Sequence, residues 1–122
     1  MKKILVVDDE KDIRELLVEK LNKHNFQALG ASSGEEALAL SKDNLFDIIL
    51  LDVAMPGMDG YETCEKLKKQ EKTNNTPVIF LTGKDLEPKA MSKRYHELCA
   101  AGYLPKPSTM SELLDKIKET IG

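Results

Sequence analysis

Three acids, a threonine and a lysine carry most of the chemistry that this 122-residue chain can offer. Asp8 and Asp9 follow the apolar run Ile4-Leu5-Val6-Val7, and Asp52 follows Ile48-Ile49-Leu50-Leu51. Thr82 closes Val78-Ile79-Phe80-Leu81, and Lys106 lies between two prolines after Gly102-Tyr103-Leu104. A carboxylate can attack phosphorus as a nucleophile and form an aspartyl phosphate. Phosphoryl transfer needs little beyond placement and charge neutralisation. A hard divalent cation would neutralise grouped carboxylates, and Mg²⁺ suits one or two of them together with water and phosphate. An ammonium and a hydroxyl would complete the set by contacting the equatorial oxygens of the transferred group.

Each of these residues also has a plain structural use. Asp52 can start a turn, Asp8 and Asp9 can cap a helix, Thr82 can cap a strand end, and Lys106 can sit on the surface. Electrostatic cost separates the readings. Two carboxylates about 5 Å apart repel by roughly 3 kcal/mol at an effective dielectric of 20, and a third adds more. A structural role does not need that expense, whereas a cation site does.

The acids come together only if their apolar runs are neighbouring parallel strands. Ile4 to Val7 and Ile48 to Leu51 lack polar alternation, as strands buried on both faces do. Met55-Pro56-Gly57 then breaks the chain, so Asp52 ends a strand and faces a loop. In open α/β sheets that edge is where ligands bind. Between the strands, Ile13, Leu16, Leu17 and Leu21 recur at helical spacing, with Asp12 and Glu15 as a capping-box-like start. Phe26 to Ala31 is a weaker outer strand. Ser33 to Glu36 and Thr109 to Glu112 are capping boxes, opening a second helix and a closing helix that turns Leu113, Leu114, Ile117 and Ile121 inward. Asp59-Gly60 opens a helix whose Tyr61, Cys64 and Leu67 share a face. A further helix is expected from Pro88 to Cys99. Pro105 cannot donate to a strand ladder, which puts the last strand at the sheet edge. Five strands alternating with five helices predict a doubly wound α/β sheet with right-handed crossovers.

Bulk properties exclude several classes. The length suits one domain with a real core. A net charge of −3 gives no global attraction to nucleic acid or to an anionic membrane. No apolar run approaches the roughly 20 residues needed to span a bilayer. Cys64 and Cys99 are far apart and in no metal or redox pattern, as in a cytosolic protein. These features together predict a single cytoplasmic domain over residues 1–122, monomeric and with no output domain of its own.

With those residues in view, the chain resembles, end to end, a response-regulator receiver domain of bacterial two-component signalling. The matching motifs are Val6-Val7-Asp8-Asp9, Leu51-Asp52 with Met55-Pro56-Gly57 and Gly60, Leu81-Thr82-Gly83, and Lys106-Pro107. The resemblance implies the flavodoxin-like strand order 2-1-3-4-5. It implies that Asp52 is the phosphoacceptor, charged by a sensor histidine kinase or a histidine phosphotransfer protein. Asp9, Asp52 and the backbone carbonyl of Ala54 would hold Mg²⁺, with Asp8 acting through water. Lys106 would contact the phosphoryl group, Thr82 would swing toward it, and Tyr103 would rotate as the switch aromatic. The output would be a downstream effector binding the face of the fourth expected helix, the fifth strand and the closing helix. Such a domain catalyses only its own phosphorylation and dephosphorylation, so it is not an enzyme in the turnover sense.

Two other functions fit the same residues. One is a Mg²⁺-dependent phosphohydrolase with an aspartyl intermediate, which should show a substrate pocket and an acid/base carboxylate beside the nucleophile. The other is a receiver-like binding module that is never phosphorylated, which the intact acid, Thr and Lys set argues against. A nucleotide binder is weaker still, because no Gly-rich phosphate loop follows the first strand.

Overall fold

The computed structural model describes residues 1–83, 101–106 and 109–122. Five strands, β1 (Lys3–Val7), β2 (Gln27–Ala31), β3 (Ile48–Asp52), β4 (Val78–Thr82) and β5 (Gly102–Pro105), form one sheet. All neighbours are parallel and the order is β2-β1-β3-β4-β5, as expected. Among the described residues there are four helices: α1 (Lys11–Lys23), α2 (Gly34–Asp43), α3 (Gly60–Lys68) and α4 (Met110–Ile121). The helix expected from Pro88 to Cys99 lies outside the described residues.

The apolar runs are continuous because both sheet faces are covered. Leu5, Val7, Ile49, Leu51, Val78 and Phe80 pack on one side with Ala37 of α2 and Cys64 and Leu67 of α3. Ile4, Val6, Ile48, Leu50, Ile79 and Leu81 pack on the other with Leu21 of α1 and Leu113 and Ile117 of α4. Every residue of β3 and β4 is buried, the terminal Asp52 and Thr82 included. The edge strands are more open, and β5 carries Pro105 at the margin of the sheet, where its missing N–H costs no ladder bond.

Helix starts follow the expected chemistry with two differences. At α4 the Thr109–Glu112 capping box is complete. At α2, Ser33 accepts from the Glu36 N–H, but the Glu36 carboxylate accepts from the Ser32 N–H and not from that of Ser33. At α1 the N-cap is Glu10, without a side-chain cap, so Asp12 lies inside the first turn and does not precede it. The reason lies upstream: the Asp8 carboxylate accepts from the Glu10 N–H at 3.0 Å and so supplies an acceptor just before the helix. Leu16, grouped by helical spacing with Ile13, Leu17 and Leu21, is half exposed.

Gly60 fixes how closely α3 approaches the end of β3. Its N–H donates to the Val53 carbonyl at 2.9 Å. A Cβ there would press on the Asp52 carbonyl oxygen and lie 2.7 Å from the Val53 Cα. Both are backbone atoms, which cannot step aside as a flexible side chain could. Gly60→Ala is therefore expected to destabilise the fold by about 2 kcal/mol, as overpacking does, despite Ala's better helix propensity. The midpoint of urea unfolding checks this; an unchanged or raised midpoint would show that the strand end yields.

Candidate functional site

The carboxyl ends of β1, β3, β4 and β5 converge because the four strands are successive neighbours in register. Val7 lies beside Leu51, Asp52 beside Leu81, and Thr82 beside Pro105. The residues that follow or end these strands therefore meet along one edge. Asp8 is fully buried and Asp52 almost so, while Asp9 is exposed. Each of the three offers a carboxylate oxygen, and these oxygens all lie within 4.8 Å of one another. Hard oxygen donors at that spacing are the donor set that Mg²⁺ takes.

Lys106 supplies the opposite charge. Its Nζ donates to Asp8 Oδ2 at 2.9 Å and to Asp52 Oδ2 at 3.2 Å. Its backbone N–H donates to the Thr82 carbonyl at 2.6 Å, which ties the lysine to the end of β4. Burial would lower the ammonium's pKa, but the hydrogen bond to Asp8 and the charges of Asp52 and Asp8 outweigh it and hold it above the usual lysine value. For Asp52 burial is the largest influence and lifts the carboxyl to about 6. The Lys106 cation opposes the rise, and the nearby Asp8 carboxylate adds to it. A backbone hydrogen bond involving Ala54 also favours the charged form.

Thr82 is buried at the end of β4, and its hydroxyl donates to the Leu104 carbonyl at 3.4 Å, a long bond that holds it toward β5. Tyr103, beside Phe80 in the β4–β5 register, is 37% exposed on the outer strand. Two residues to which the sequence gave no place in this cluster also belong here. Glu10 brings a third carboxylate to Lys106, at 3.8 Å. Arg14 Nη1 donates to the Asp8 backbone carbonyl at 2.9 Å and so pins the turn that carries the acids. Glu10 was in view as part of an acidic run, but only the fold shows that it faces Lys106. Nothing in the sequence pointed Arg14 at the Asp8 carbonyl; the resemblance implies a kinase-docking role for it on the first helix.

A doubly wound α/β sheet with an acidic, lysine-bridged cluster at the carboxyl ends of its strands is the architecture of a phosphoryl-handling switch. The response regulator receiver domain profile matches residues 4–118, and the chain belongs to that family, the receiver domains of two-component systems. It is 43% identical over 118 residues to the transcriptional regulatory protein CpxR of Klebsiella pneumoniae, covering 97% of this chain and 48% of that protein. It is 40% identical over 118 residues to the alkaline phosphatase synthesis transcriptional regulatory protein PhoP of Bacillus subtilis, covering 96% and 47%. The chain thus spans about half the length of the curated relatives it matches. Among solved structures, chemotaxis protein CheY4 of Vibrio cholerae superposes with a TM-score of 0.92 at 31% identity over 98% of both chains. Response regulator TrrA of Thermotoga maritima, in complex with Mg²⁺ and BeF, superposes with a TM-score of 0.84 at 34% identity over 98% of this chain and 99% of that one.

The raised Asp52 pKa has a stability consequence. Between the unfolded value near 3.8 and the folded value of about 6, the folded state binds the extra proton. That proton-linked stabilisation is complete below about pH 4 and is lost as pH rises through about 6. In metal-free buffer Asp52→Asn should therefore be more stable than the native protein at pH 8, by about 1–3 kcal/mol, and the gain should shrink toward zero near pH 4. Chemical unfolding at a series of pH values measures it. A gain independent of pH would mean that the burial of Asp52 is not what strains the site.

Proposed function

We propose that Asp52 is the phosphoacceptor of this receiver domain, receiving the phosphoryl group from a phosphohistidine of a sensor kinase or phosphotransfer protein. The observation that carries the reading is the Lys106 ammonium within 3.2 Å of both the buried Asp8 and the buried Asp52. Above about pH 6 Asp52 is ionised, as a carboxylate nucleophile must be. Its oxygen attacks phosphorus, the bond to the donor breaks, and the donor leaves with the electron pair. Lys106 stays beside Asp52 and meets the charge on the transferred group's oxygens.

Mg²⁺ would be held by Asp9, Asp52 and the Ala54 backbone carbonyl, with Asp8 acting through water; the three grouped carboxylates fit it. Bound there, it would supply charge neutralisation between the acids and the phosphoryl oxygens. Thr82 completes the switch. Its long bond to Leu104 is weak, so a phosphoryl oxygen within reach offers the hydroxyl a better acceptor. Movement of Thr82 at the β4 end is read out at Tyr103 on the neighbouring strand, and from there by a downstream effector. The ligand favours one arrangement only through contacts that are better in that state. The protein would work in the cytoplasm; no helix among the described residues is long and apolar enough to cross a membrane.

Incubation with Mg²⁺ and acetyl phosphate should add one phosphoryl group, and Asp52→Ala should abolish it, as read by intact mass. Lys106→Ala should slow the labelling by about 10²-fold or more, the usual loss when a charge-stabilising donor is removed. Label on a residue other than Asp52 would overturn the assignment. Multiple turnover of a phosphate ester would favour the phosphohydrolase reading instead. Ala54 offers no side chain to orient a water, so the phosphoryl group should decay slowly, and Ala54→Asn should shorten its lifetime. Equal decay in the two proteins would refute that role.

A further inference from the structure

On one side the site borders a groove. Asp52 and Lys106 form part of the wall of a groove of about 520 Å³ between α1 and α4. Most of the remaining wall is apolar: Leu16 and Leu17 from α1, Met110 and Leu113 from α4. Leu16 is the member of the α1 apolar stripe that stays half exposed, and it lies at this groove. With Leu17, Met110 and Leu113 it gives an apolar group something to lie against. The groove is thus ionic where it meets Asp52 and greasy elsewhere.

A molecule with the same division is a phosphoryl donor whose leaving group is apolar. We infer that the groove receives the leaving group of small-molecule donors, and that Leu16 and Met110 set a preference for aromatic acyl phosphates over acetyl phosphate. The inference rests on Asp52 being the phosphoacceptor. The Asp52 oxygen forms a bond to phosphorus as the bond from phosphorus to the acyl oxygen breaks. The electron pair leaves on the carboxylate of the released acid, so no proton or further reactant is needed. Charge on phosphorus is met by Lys106, and the ring of the leaving group lies against Leu16 and Met110. Acetate is too small to use that wall.

The test compares benzoyl phosphate with acetyl phosphate, both with Mg²⁺, at donor concentrations where the labelling rate is linear. The quantity read is the ratio of the two second-order rate constants in the native protein, in Leu16→Gln and in Met110→Gln. Taking the change in this ratio between proteins cancels the donors' own reactivities. We expect it to fall about tenfold in each variant, the selectivity a small apolar contact gives, with the acetyl phosphate rate unchanged. An unchanged ratio, with acetyl phosphate still labelling Asp52, overturns the groove as a leaving-group site and leaves the phosphoacceptor reading standing. Failure of both donors to label Asp52 in the native protein overturns that reading, and the inference with it. Leu16 is half exposed, so Leu16→Gln keeps the fold and a null result cannot be blamed on unfolding.

Discussion

Repulsion among carboxylates at one end of a buried sheet is the constraint around which this domain is built. Asp8 and Asp52 are both removed from water, and neither can be neutralised by solvent. A lone buried charge costs several kcal/mol and would be protonated or expelled. One ammonium shared between the two acids makes the arrangement tolerable. It does not make it comfortable, since burial still holds the Asp52 carboxyl well above its ordinary value. The residual strain is a stored preference for more positive charge, and a divalent cation among oxygens is what such a site would take up.

The rest of the fold serves to hold that tension in place. Four strands in parallel register bring their ends to one line, and helices on both faces keep the strands dry. Gly60 lets α3 close on the backbone of Asp52 itself, and Arg14 clamps the turn that carries Asp8. Both contacts act on main-chain atoms, so they fix where the carboxylates start without competing for their oxygens. Thr82 differs from these. Buried at a strand end, its hydroxyl is held among the described residues by one long bond, so it has little to lose by moving.

Much of this was legible in the sequence because buried parallel strands announce themselves. Ile48 to Leu51 and Val78 to Leu81 have no polar interruption, so the residues that end them, Asp52 and Thr82, could be placed without coordinates. Order within the sheet came from resemblance, since no local signal tells β1 to sit between β2 and β3. Helical spacing grouped Ile13, Leu16, Leu17 and Leu21, yet it could not tell which of them would pack into the core and which would stay at a groove. The Asp12–Glu15 pattern suggested a cap, and Asp8 displaced it by reaching the Glu10 N–H first. Long-range partners such as Glu10 on Lys106 were invisible for a simple reason: charge pairs across the fold leave no spacing to read.

The lysine that quiets the acids lies 98 residues after Asp8. As the polypeptide leaves the ribosome, both aspartates are therefore made well before their counter-ion. Until nearly the whole domain has been synthesised and closed, Asp52 has no ammonium beside it. The charge balance of the cluster is thereby completed only in finished molecules, and a nascent or truncated copy carries its acids without it.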